Sequence, residues 1–217
     1  AYAWKPKLPG FGKKKETAKA VNMDELMAEG AAIRILVAKA MESYLEGTGK
    51  ILTAGGHKKE AVKYERAAED LRKDREDPQN IKNTAPLIDE GNKYLEEILG
   101  QKAVFSGKAR KQFVTGVAYV GAAGLADGAA GKLTADPLEN LNGAIKVVKE
   151  DPLKYGAGAL AYLTEAADLM TFLSTNLPVH ADSIGNTYSA LVKYANTCGV
   201  KVSDDDCDEQ FKKITAK

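Results

Sequence analysis

Residues 116–131 read "GVAYVGAAGLADGAAG". Most of these side chains are a hydrogen or a methyl group, and Asp127 is the only charge. Gly121, Gly124, Gly128 and Gly131 recur at spacings of 3, 4 and 3, which puts them on one face of a helix. A flexible linker needs no such register. A phosphate-binding loop needs a preceding strand and a GxGxxG or Gly-Lys-Ser/Thr pattern, and neither is present. The stretch "EGTGK" at 46–50 lacks the upstream Gly and the following Ser or Thr of a P-loop. Nucleotide binding through a known motif is therefore not expected.

Three readings of the glycine stripe stay open. A second helix, such as the other Gly/Ala-rich segment at 152–176, could pack backbone to backbone against it. Each helical glycine costs up to about 1 kcal/mol relative to Ala, so four of them need such an offset. Alternatively the stretch 113–131 enters a membrane, where small-xxx-small faces are common. Its large apolar side chains are only Phe113, Val114, Val117, Tyr119, Val120 and Leu125. Asp127 would add about 2.5 to 3.5 kcal/mol at a bilayer centre. Membrane contact is thus not favoured, and a buried core helix is the expectation. In the third reading a cleft beside the stripe holds a small molecule or lipid, with Gly121, Gly124, Gly128, Gly131 and Tyr119 as its contacts.

The rest of the composition is that of a soluble globular chain. Of 217 residues, 44% are hydrophobic and 28% charged. Lys and Arg number 31 against 30 Asp and Glu, which points to neither nucleic acid nor an acidic partner. Val-Ile-Thr strand runs are missing and Ala is abundant, so the fold class is all-α. We expect seven or eight helices in one bundle-like domain over 21–217, after a basic extended tail over 1–20.

The tail carries six lysines against Glu16 alone, with Lys13, Lys14 and Lys15 consecutive. These three could touch an anionic surface; a solvated tail explains them as well. From Asn22, a helix cap, the residues Met23, Leu26, Gly30, Ile33, Val37, Ala40 and Tyr44 form a strict 3,4 stripe over 22–46. Gly47 and Gly49 are expected to end that helix. Residues 57–77 form a second, with Ala61, Tyr64, Ala68 and Leu71 inward and a mixed-charge outer face. A third covers 79–99, with Pro86 inside its stripe and Gly100 as its stop. Asp136-Pro137 and Asp151-Pro152 each read as cap plus first helical residue, opening helices over 137–149 and 152–176. Pro178 is expected to end the latter, before another helix at 182–197. Ser203 and the acids behind it, Asp204, Asp205, Asp206, Asp208 and Glu209, then open a short last helix, the sign a helix N-terminus favours.

Cys198 and Cys207 would close the small loop "CGVKVSDDDC", and a disulfide between them is expected. The chain opens with Ala-x-Ala, a small-residue pattern that precedes signal-peptidase cleavage. Together they suggest a periplasmic or secreted protein after signal-peptide removal.

The chain offers little for catalysis. His57 and His180 have no second His or Cys at metal spacing, and both read as surface or loop residues. His180 and Cys198 could pair as base and nucleophile only if Cys198 is not bridged. The acidic run lacks the Gly and Glu that a calcium loop requires. Glu165 and Asp168 lack the Glu-x-x-His of a di-metal site and read as exposed. Neither cofactor nor metal is expected. The leading function is a non-enzymatic exported protein acting by protein-partner binding or assembly. A small-molecule or lipid binder and a membrane-active protein inserting 113–131 are the alternatives.

Overall fold

A computed structural model describes residues 22–101, 105–156 and 158–216. The tail 1–20, with Lys13, Lys14 and Lys15, lies outside them. The described residues are all-helical, without strands.

Helix α1 spans Met23–Ala54, capped by the Asn22 side chain, which accepts from the Glu25 amide at 3.4 Å. The whole expected stripe from Leu26 to Tyr44 is buried. The helix does not stop at Gly47 or Gly49. Both sit where neighbouring helices come closest, so they are contact residues, and the chain turns only at Gly55 and Gly56, the latter at φ +89°. Helix α2, Lys58–Lys73, buries Ala61, Tyr64, Ala68 and Leu71 as expected. Helix α3, Pro78–Leu99, is capped by Asp77, whose carboxylate accepts from the Gln79 amide at 2.8 Å; Pro86 lies inside it, exposed.

Helix α4, Gly107–Leu133, carries the glycine stripe, and α5, Ala135–Glu150, follows after Thr134 alone. Asp136 falls inside α5 instead of capping it. The link is Thr134, 1% exposed, whose hydroxyl donates to the Gly131 carbonyl at 2.9 Å. Asp151 does accept from the Lys154 amide (3.3 Å), but the helix it opens, α6, is the single turn Pro152–Tyr155. Gly156, at φ +84°, turns the chain out of it.

Helix α7 then runs unbroken over Ala159–Thr197, through Pro178. An internal proline costs about 3 kcal/mol in a helix, which favoured a break here. Packing offsets that cost: Gly131 of α4 leaves room for Leu177 and the Pro178 ring, 3.5 and 3.7 Å from where a Cβ would stand. Helix α8, Asp204–Thr215, is capped by the Ser203 hydroxyl, which accepts from the Asp205 amide. Counting α4 and α5 as one interrupted rod and setting aside the turn α6, the described residues form six helices, fewer than the seven or eight expected.

Helix α4 packs against α1, α7 and α8. One apolar cluster joins α1–α5 and α7; a smaller one, Ala40, Ala122, Ala126, Cys207, Phe211 and Ile214, seats α8.

Candidate functional site

The stripe of α4 faces α7, antiparallel to it. A Cβ on Gly121 would fall 2.5 Å from the Tyr188 ring and 3.1 Å from Cys207 Sγ. On Gly124 it would fall 2.9 Å from Ile184 Cγ2. The fit then relaxes: a Cβ on Gly128 would stand 3.6 Å from the Ala181 Cβ, and one on Gly131 3.5 Å from that of Leu177. The partner is therefore the 177–188 half of α7, not the 152–176 segment. Tyr119 stands apart from the stripe. Its carbonyl accepts from the Ser43 hydroxyl at 3.1 Å, and Lys50 lies 5.5 Å over its ring. The five residues proposed as ligand contacts thus do not line one cleft; α7 occupies the space over the glycines.

A second tight contact joins α4 to α1, where Gly116 meets Gly47. Neither residue stood out as a contact in the sequence, because Gly116 lies off the stripe and Gly47 read as a stop.

The two cysteines are not bridged. Helix α8 carries Cys207 inward against Gly121, and burial pushes its thiol up to about 12, aided by Asp208 and Asp204. Cys198 sits at the C-cap of α7, its amide bonded to the Tyr194 and Ala195 carbonyls. His180 lies earlier on the same helix. Eighteen residues at about 1.5 Å each separate it from Cys198 by roughly 27 Å, so they form no nucleophile–base pair. His180 is also not a surface residue. It is 5% exposed, and burial holds its imidazole below the usual range, against an opposing pull from Asp89. His57 is half-buried beside the Gln101 amide, 3.1 Å away. Glu165 and Asp168 are exposed, as expected. No three His, Cys, Asp or Glu side chains among the described residues cluster as a metal site would require.

Two buried polar features escaped the sequence reading. Asp127 is wholly buried, neither carboxylate oxygen has a hydrogen-bond partner among the described residues, and burial raises it to about 8. Across α1, α3 and α7, the one proton of the Tyr44 hydroxyl is within reach of two acceptors, Asn92 Oδ1 (2.8 Å) and the Ile88 carbonyl (2.9 Å), while Asn92 Nδ2 donates to Ser183 Oγ at 2.7 Å. Gly91 makes room for this hydroxyl; a Cβ there would stand 2.6 Å from it.

A charged cleft of about 200 Å³ opens between α1, α8 and the end of α2. Lys39, Glu42, Ser43, Glu46, Arg75 and Gln210 line it, with Lys213 at its mouth. Glu42 accepts from Arg72 Nε (2.6 Å) and from Arg75 Nε and Nη2 (3.0 and 2.7 Å), and Arg72 also pairs with Glu46. The i,i+4 spacing of Glu42 and Glu46 aims both acids at Arg72 in the last turn of α2, and Glu42 also meets Arg75 just beyond that helix.

Among the described residues one stretch, Gly107–Glu150, is long and apolar enough to cross a membrane; 67% of its apolar window is buried inside the fold. Comparison with known protein families, curated proteins and solved structures gives no match.

Proposed function

We propose that this chain is a non-enzymatic helical protein, one bundle-like domain over 21–217 with a basic tail, that works by binding a protein partner or building an assembly. The closure of α4 carries this reading. A lipid cleft beside the stripe, or insertion of 113–131, would require α7 and α8 to leave contacts that admit no extra methyl group at Gly121. The outer helical faces are what remains for recognition. The large apolar side chains exposed there, Met27, Val62, Leu125, Val147 and Val179, fall one each on α1, α2, α4, α5 and α7. Recognition is accordingly polar and weakened by salt. Export to the periplasm or medium is part of the proposal, though it no longer draws on a disulfide.

Cross-linking with mass spectrometry, on the protein in its own source, tests this. Intermolecular links from exposed lysines of α2 and α5, lost at high salt, are expected. Intramolecular links alone, together with a retained apolar adduct, would instead favour the ligand-binding alternative.

A further inference from the structure

The geometry points to the cleft between α1, α8 and the end of α2 as a binding site for a small oxyanion, a phosphate or a compact polycarboxylate, held by Lys39, Lys213, Arg75 and Gln210. The argument is a count of hydrogen-bonding groups. The two carboxylates in the cleft are partly engaged: Glu42 takes three N–H groups and Glu46 takes one, from Arg72. The donors are not used up. Among the described residues Lys39 spends one of its three N–H groups, on the neutral Ala216 carbonyl at 2.7 Å. Among the described residues Arg75 spends Nε and one Nη2 proton on Glu42, leaving both Nη1 protons and the other on Nη2. Lys213 pairs with Glu209 at 2.7 Å, but both side chains are more than half exposed, so this pair is weak and easily exchanged for a better partner.

The site also has a fixed neutral donor. Ser43, 3% exposed, donates to the Tyr119 carbonyl and accepts from Gln210 Nε2, both at 3.1 Å. That bond holds the Gln210 amide while its second N–H stays unspent. Unspent donors from three segments thus outnumber the acceptor sites left on Glu42 and Glu46, and three cations line the cavity against two carboxylates, an arrangement that favours an anion. A volume of about 200 Å³ is below the 300 Å³ or more of drug-sized sites and suits a ligand of few atoms.

The test is a ¹⁵N–¹H NMR titration of the full chain at fixed ionic strength, with inorganic phosphate in one arm and citrate in the other. Saturable shifts at the Ser43, Gln210 and Lys213 amides are expected in at least one arm, and the arm names the ligand class. Lys39→Gln and Lys213→Gln should each weaken binding about tenfold, the effect of losing one charge-assisted hydrogen bond. Lys63→Gln, which removes an exposed ion pair with Glu90, should leave it unchanged. Shifts that do not saturate, failure of either cleft variant to weaken binding, or equal weakening by Lys63→Gln would overturn the proposal. Retained spectral dispersion in each variant separates loss of binding from loss of fold.

Discussion

Gly47 of α1 and Gly116 of α4 meet backbone to backbone: a Cβ on either would stand 2.7 Å from the carbonyl oxygen of the other. No rotamer change relieves a clash with a carbonyl, so the helices themselves would have to part. Gly47→Ala and Gly116→Ala should each lower stability by about 1–3 kcal/mol, more than the roughly 1 kcal/mol gained in helix propensity. Urea unfolding of each variant measures this.

The stripe facing α7 should divide in two. Gly121→Ala and Gly124→Ala meet the Tyr188 ring and Ile184 too closely and should destabilise. A methyl group at Gly128 or Gly131 meets its neighbours at ordinary contact distance, so Ala there should stabilise by up to about 1 kcal/mol. The sign of the four shifts in urea midpoint is the readout.

Asp127 makes stability depend on pH. Its folded pKa, about 8, lies above the ordinary 3.8, because burial favours the neutral acid. The folded state therefore binds the extra proton. The stabilisation this gives is complete below about pH 4, declines as pH rises, and is gone once pH passes about 8. The span is about 6 kcal/mol at most. Asp127→Asn should abolish this component, so the variant gains on the parent between pH 5 and pH 8. Equal pH slopes for the two proteins would contradict the assignment.

Tyr44→Phe removes a buried hydroxyl and leaves Asn92 Oδ1 short of a donor. A cost of about 1–3 kcal/mol is expected in thermal or urea unfolding.

The cysteines should differ in reactivity. Cys207 is buried, with its thiol pushed up to about 12, while Cys198 is half-buried at a helix end. Alkylation of the native protein should label Cys198 first and reach Cys207 only on unfolding. The intact mass should be that of the reduced chain.

Much of this fold is written in local pattern. The α1 stripe, the α2 face Ala61–Tyr64–Ala68–Leu71 and the caps at Asn22 and Ser203 follow from helix geometry and the need of first-turn amides for acceptors. What escaped depends on the partner. Gly47 is a stop signal unless a second backbone lies against it, and Pro178 is a break unless its neighbours hold the helix together. His180 and Asp127 read as a loop residue and a lone charge because burial is a tertiary property. The stripe was legible as a contact surface, but which half of α7 covers it was not. The charged cleft left no motif, since Lys39, Arg75 and Gln210 come from three distant segments.

The central claim is that α4 is a closed core rod. Native-state hydrogen exchange of the 113–131 amides, with and without phosphatidylglycerol vesicles, tests it most directly. Protection near that of global unfolding, unchanged by vesicles, is predicted. Exchange of this segment well ahead of α1, or loss of its protection on adding vesicles, would contradict closure and favour membrane insertion.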